Sequence, residues 1–461
     1  MTKQKQGYSI DMLTGPLWGK VLLFALPLML SSVLQLLFNA ADVVVVGRFA
    51  GKEALAAVGS TSSLINLFVN LFIGLSVGTN VTVARDLGAG RADNVSRSVH
   101  TSIALALISG ALLTVAGVAL SGQMLVLMKS PPDVIDLSAL YLRIYFCGMP
   151  ANMLYNFGSA ILRAQGDTRR PLYFLSAAGI INVVLNLVFV IPLRMSVAGV
   201  ALATIISQYI SAALVLMALM RDDGLLKFSF RQLCLDRNVI VRILRVGLPA
   251  GFQSVLFSIS NVVIQSAVNS FNSTVVAGCS AASNIESFVY ASMNAFYQTA
   301  LTFTSQNYGA GKHKRVDRTM LVCMFYTAVI GLTLGNLVYL FGHPLVSLYV
   351  PGEEEVITQA LARMRIVSTT YFICGLMEIP VGVLRGIGYS LVPMITSLLG
   401  SCALRLAWVA FVFPLSPTIQ MLYTAYPVTW LVTAAAHYFF FLLIRKHAYP
   451  KADNTASLQE S

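Results

Sequence analysis

The segment Ile161-Leu162-Arg163-Ala164-Gln165-Gly166-Asp167-Thr168-Arg169-Arg170-Pro171 returns 222 residues later as Val383-Leu384-Arg385-Gly386-Ile387-Gly388-Tyr389-Ser390-Leu391-Val392-Pro393. Each copy carries Leu-Arg-x-x-Gly, closes on proline and separates two apolar runs. The same offset brings Ala25-Leu26-Pro27 onto Gly247-Leu248-Pro249 and Arg143 onto Arg365. One residue out of register, Leu87-Gly88-Ala89-Gly90-Arg91 meets Tyr308-Gly309-Ala310-Gly311-Lys312. Apolar helices resemble one another by chance, but two polar loops recurring at one offset do not, so the chain reads as a duplicated membrane bundle.

Composition sets the solvent. Of 461 residues, 57% are apolar and 11% charged, with a mean hydropathy of +0.75, far from the balance of a water-soluble domain. A bilayer core takes about 20 apolar residues per helical span, which leaves room for twelve spans and short loops. Apolar runs between charged or Gly/Pro-rich breaks place these at 18–46, 54–83, 98–121, 138–160, 171–193, 197–220, 246–268, 276–303, 319–341, 366–384, 393–413 and 419–444. Six spans per half is an even number, so both halves enter the membrane in the same direction and enclose a central cavity that can rock open to either side. The expected fold class is therefore all-α integral membrane, with twelve transmembrane helices in two homologous six-helix bundles around a central cavity.

The net charge of +12 does not imply nucleic acid, because the basic residues sit in short loops between apolar runs. Most of them, among them Lys3, Lys5, Arg163, Arg169, Arg170, Lys312, Arg385 and Lys451, fall on one side if the N-terminus is cytoplasmic, while Lys129, Arg363 and Arg405 are among the exceptions. The positive-inside rule then puts both termini in the cytoplasm of a prokaryotic plasma (inner) membrane. The expected organisation is a cytoplasmic segment 1–17, a first bundle 18–220, a basic cytoplasmic linker 221–245, a second bundle 246–444 and a cytoplasmic tail 445–461. Nothing in residues 1–19 reads as a cleaved signal. Cys147, Cys234, Cys279, Cys323, Cys374 and Cys402 lack paired spacing, so neither a disulfide framework nor a metal site is expected.

At the paired Gly-Ala-Gly-basic loops (Gly88 to Arg91, Gly309 to Lys312), the Leu-Arg-x-x-Gly loops (Leu162 to Gly166, Leu384 to Gly388), and Pro27 followed by Asn39-Ala40-Ala41-Asp42, the chain resembles the multidrug and toxic compound extrusion (MATE) family, in its bacterial DinF-like/NorM-like branch. The resemblance covers residues 15–445. It implies an efflux carrier exchanging a proton or sodium ion for amphipathic, often cationic organic compounds, working as a monomer in the lipid bilayer with no bound cofactor. The major facilitator loop Gly-x-x-x-Asp-Arg-x-Gly-Arg-Arg is missing after span two.

A charge in the middle of a span costs roughly 2.5 to 3.5 kcal/mol and marks function by default. Asp42 lies toward the far end of span one, Asn182 and Asn186 share one face of span five, and Thr204 lies early in span six, so depth allows all four to meet. Carboxylate, amide and hydroxyl oxygens form either a hard-cation site or a hydrogen-bond network around a proton-exchanging carboxyl. MATE relatives are similar here, with a first-helix carboxylate and Asn-x-x-x-Asp on the fifth helix. This chain departs at Asn186, which weakens the case for sodium and leaves Asp42 the titratable group of the set.

Glu286, Glu378 and Arg405, on spans eight, ten and eleven, all reach the midplane at 1.5 Å per residue and form a candidate charged substrate site in the second half. An ion pair of Glu378 with Arg405 is the structural alternative, which leaves Glu286 as the functional candidate. Two acids against one arginine give this half an acidic balance. Pro27 and Pro249 each remove a backbone hydrogen bond from the first helix of a half and permit a bend there. Phe252, Phe257, Tyr290, Met293 and Phe296 are candidates to line a drug cavity.

Two other functions compete. A flippase for lipid-linked sugars or other amphipathic metabolites would need a basic cavity, against the acidic balance just described. A membrane enzyme would need a catalytic cluster, whereas His100, His313, His343, His437 and His447 are scattered and Gly309 to Lys312 lacks P-loop spacing.

Overall fold

The computed structural model describes residues 8–128 and 132–449. Lys3, Lys5, Lys129 and Lys451, with most of the expected terminal segments, lie outside the described residues. All regular structure among the described residues is helical, as the bilayer requires of a chain that must satisfy its own backbone. The first lobe contains α1 (Leu17–Val45), α2 (Lys52–Gly88), α3 (Ala92–Leu127), α4 (Pro132–Cys147), α5 (Met149–Gln165), α6 (Arg169–Val190) and α7 (Ser196–Met220). The second contains α8 (Arg237–Val268), α9 (Ser273–Gly309), α10 (His313–Leu340), a short α11 (Gly342–Ser347), α12 (Glu354–Gly386), α13 (Leu391–Ser397), α14 (Leu404–Ala407) and α15 (Ile419–Ala448).

Ten helical stretches are long and apolar enough to cross a membrane, and α4 with α5, bent by 46°, form an eleventh span. The twelfth is α9, 37 residues long. It reads as less apolar because Glu286, Thr299, Thr302, Thr304, Ser305, Gln306 and Asn307 are buried against other helices rather than lipid. Several expected boundaries move. Span four, expected to be continuous, breaks at Gly148, where Pro150 enters the first turn of α5. The helix expected to start at 246 begins at Arg237, because the Asp236 side chain accepts from the Asn238 and Val239 amides. Span ten, drawn from 366, begins at Glu354 and so takes in Arg363.

The repeated loops are helix terminators. Gly90, Gly166, Gly311 and Gly388 all adopt positive φ, from +66° to +103°. At each, the following amide reaches back five residues: Arg91 to the Asp86 carbonyl, Asp167 to Leu162, Lys312 to Asn307 and Tyr389 to Leu384. These are Schellman caps, and only glycine holds that conformation without strain.

The two lobes meet near the face that carries residues 8 and 449, the two ends of the described chain. There α2 crosses α9 about a pseudo-twofold axis: Asn80 Oδ1 accepts from Thr302 at 3.0 Å, and the two residues occupy matching places in the repeat. A Cβ on Gly88 would stand 2.0 Å from the Gln306 carbonyl oxygen, and one on Gly309 2.2 Å from that of Arg85. On one flank Gly74 and Gly78 of α2 lie against Gly251 and Gly247 of α8, braced by Arg242 to Asp86 at 2.9 Å and Ser98 to Asp86 at 2.8 Å. On the other flank Phe24 of α1 meets Phe303 edge-on at 5.4 Å. Residues 10–15 strap the same face. The Ile10 amide bonds the Gly166 carbonyl, while Asn307, Lys312 and Arg315 donate to the carbonyls of Met12, Leu13, Thr14 and Gly15. Partial burial works to raise the pKa of Asp11, but bonds from Thr14, the Leu13 amide and Lys20 outweigh it and hold the carboxyl at about 2. Every hydrogen bond joining the lobes among the described residues lies in this half, so the space between them opens toward the opposite face.

Gly88→Val should therefore wedge this closure apart. With native cysteines replaced and one cysteine placed at the buried Val81, the parent protein is expected to resist a membrane-impermeant maleimide and the Gly88→Val variant to react. Equal protection in both would show that the backbone contact does not hold the closure.

Candidate functional site

In the first lobe, α1 and α6 approach closely because the Phe38 ring rests on Gly179, where a Cβ would meet it at 1.9 Å. One turn beyond that contact, Asp42 faces Asn182 and Asn186. Asn186 Nδ2 donates to Asp42 Oδ1 at 2.5 Å and lies 3.4 Å from Asn182 Oδ1. Asn182 Nδ2 in turn points to Thr204 Oγ1 at 3.5 Å, whose hydroxyl bonds the Val200 carbonyl. The four residues named from sequence thus form one chain running from α1 through α6 to α7. Asn182 and Asn186 are buried, Asp42 is half-buried, and Asn186 Oδ1 has no partner. Tyr141 and Tyr145 of α4, stacked at 5.9 Å, stand close enough to feel the Asp42 charge. Sequence reading passed over them, since two tyrosines in an apolar run carry no signal of their own.

The second lobe is arranged differently from the sequence expectation. Glu286 is not the free acid. Arg363 grips its Oε2 through Nε and Nη2, at 3.2 and 2.9 Å, and Ser368 donates to Oε1 at 3.2 Å. Both side chains are buried, and Arg363 also lies over the Tyr423 and Tyr426 rings. This is a structural ion pair, hidden from a sequence reading that starts span ten at 366 and leaves Arg363 outside it. Nor does Glu378 pair with Arg405. Arg405 packs over Tyr426 at 4.6 Å and donates to Thr429. Glu378 has no ion-pair partner among the described residues and is half-buried near Tyr290, Tyr297, Cys374 and Arg385.

Arg385, from the repeated Leu-Arg-x-x-Gly loop, is buried with its guanidinium on Gln253 at 2.8 Å and on the Tyr297 hydroxyl. The interior of this lobe therefore holds Glu286 and Glu378 against Arg363, Arg385 and Arg405. That reverses the acidic balance read from sequence.

Pro27 lies inside α1 and Pro249 inside α8; Pro380 in α12 and Pro427 in α15 are further interruptions beside Glu378 and Thr429. Arg405 sits between two π-helical stretches, Leu398–Ala403 and Trp408–Val412. Such bulges let a side chain leave the regular helical face. Of the aromatic candidates, Phe296 and Met293 are buried in the core, while Tyr290 and Phe252 are exposed.

The MatE family model matches twice, over residues 27–188 and 249–411, once in each lobe. A "Probable multidrug resistance protein YoeA" from Bacillus subtilis (strain 168) is 28% identical over 93% of this chain and 94% of its own length. A "Probable multidrug resistance protein NorM" from Thermotoga maritima is 26% identical over 84% of each. A solved structure described as an outward-facing conformation of a multidrug resistance MATE family transporter of the MOP superfamily superposes with a TM-score of 0.89 at 22% identity, covering 96% of this chain and 99% of that one.

Proposed function

The chain belongs to the MATE family, whose members are transporters rather than enzymes, and from that premise we propose that it is a secondary exporter exchanging protons for amphipathic, often cationic organic compounds. The observation that carries the coupling assignment is the hydrogen-bonded chain at Asp42. A sodium site would turn several oxygens toward one point. Here Asn186 turns an N–H toward the carboxylate, which suits an ionised acid that later takes up a proton. An amide serves both states: it donates to the carboxylate and, with its unpartnered Oδ1, accepts from the protonated acid after a flip. A second carboxylate at position 186 would donate to neither unless it were itself protonated.

In this reading both termini are cytoplasmic in a prokaryotic plasma membrane, the face closed by α2, α8 and α9 is the cytoplasmic one, and the cleft faces outward. Protonation of Asp42 removes the charge that Asn186 holds. Pro27, which leaves the Leu23 carbonyl without its helical partner, then lets α1 bend, and Pro249 gives α8 the same freedom. Substrate occupies the cleft near Glu378. The multidrug resistance assigned to the Bacillus subtilis and Thermotoga maritima relatives by name supports efflux of varied compounds.

The test uses inverted vesicles with an imposed pH gradient followed by an acid-sensitive dye, with ethidium added in the presence and absence of sodium. Ethidium-dependent collapse of the gradient without sodium is expected. Collapse that requires sodium would replace the proton with sodium as the coupling ion. No response to any organic cation would overturn the exporter reading.

A further inference from the structure

We propose that the charged interior of the second lobe recognises amphipaths that carry an anionic group as well as a cationic one, the anion being held by Arg385 and Arg405 on either side of Glu378. The proposal rests on the exporter reading and names its substrate class.

Charge and hydrogen bonding together carry it. Glu286 is consumed by Arg363, so, apart from tyrosines and cysteines that stay neutral near pH 7, the titratable groups left in the lobe interior among the described residues are Glu378, Arg385, Arg405 and His437. Neither arginine has a carboxylate within ion-pair distance, yet Arg385 is 5% and Arg405 3% exposed. Each makes only neutral contacts: Tyr297 and Gln253 for Arg385, Thr429 and the Tyr426 ring for Arg405. The Nε–H of each has no acceptor. A guanidinium has five N–H donors and cannot shed its proton, so each keeps unused donors in a poorly solvated place. An anion there gains charge-assisted bonds that no resident residue supplies.

Depth places the three charges in order. Glu378 and Arg385 are seven residues apart on α12, two turns on one face, about 10 Å along the axis. Because side chains lean toward their helix N-terminus, Arg385 leans toward Glu378. On the other side, Cys374, one turn before Glu378 on α12, lies close to both Glu378 and Arg405. Arg405 itself lies in the short α14 between two π-helical stretches, the kind of interruption that recurs at functional sites. One carboxylate set between two unpaired guanidinium groups matches a dipolar ligand, and a ligand that is only a cation leaves both arginines unmatched.

The test is binding of a matched pair of dyes to the purified protein by fluorescence polarisation: rhodamine 123, a cationic methyl ester, and rhodamine 110, its zwitterionic free acid. The wild type is expected to bind the acid at least about tenfold more tightly, the scale of one or two hydrogen bonds to charged groups. Arg385→Gln and Arg405→Gln should each shrink that ratio, and Arg405→Lys should retain part of it. Equal affinities in the wild type, or tighter binding of the ester, would overturn the proposal even if the variants fail to fold. So would a ratio unchanged in both glutamine variants. Vesicle assays with the ester separate the two claims. Proton-coupled ester efflux without a preference for the acid would sink this inference and leave the exporter reading intact. An acid preference without any proton movement would uphold the binding site and remove the coupling.

Discussion

Arg363→Met should destabilise the protein by about 3 to 5 kcal/mol, the usual cost of removing one partner from a buried pair and leaving the other charge alone. Arg363 supplies two bonds to one Glu286 oxygen, and Ser368 alone would remain for the other. The loss should show as a lower midpoint of thermal unfolding in detergent. Adding Glu286→Gln removes the stranded charge and should recover most of the loss. A double variant no more stable than the single one would mean that the arginine matters through its packing on Tyr423 and Tyr426 rather than through its charge.

Asp42→Asn should abolish uphill efflux and weaken substrate binding in the second lobe without removing it, since an uncharged residue at position 42 mimics the protonated state that linkage makes the poorer binder. The asparagine keeps the shape and one acceptor oxygen, so the Asn186 bond can persist, but nothing remains to take up and release a proton. Vesicles containing the variant should bind ethidium and fail to move it against its gradient. Retained uphill transport would shift the coupling role to Glu378, the second-lobe interior acid with no ion-pair partner among the described residues.

The duplicated architecture was legible because the bilayer forces long apolar runs and because the Schellman glycines recur at fixed places in both halves. The Asp42 set was legible for a related reason: once a span is drawn, residue number fixes depth, and four polar residues at one depth in adjacent helices have few other places to go. The second lobe misled because an apolar-run reading ends a span at the first charge. Arg363 and Arg385, at the edges of the run 366–384, were thereby assigned to loops, although α12 extends from Glu354 to Gly386. With those two restored to the interior, Glu286 gains its partner and the sign of the lobe changes. The break at Gly148 had a local signal in Gly148 and Pro150 that an apolar-run reading passes straight through, whereas the π-helical turns around Arg405 were not legible at all, since they depend on how neighbouring helices pack.

Proton release on substrate binding tests the account most directly. Purified protein in weakly buffered detergent solution near neutral pH is mixed with ethidium, and the pH change is recorded for the wild type and Asp42→Asn. If binding the substrate shifts Asp42 toward its ionised state, linkage requires protons to be released as substrate binds. The account predicts release of up to one proton per protein in the wild type and none in Asp42→Asn. Release of the same size in Asp42→Asn would contradict it.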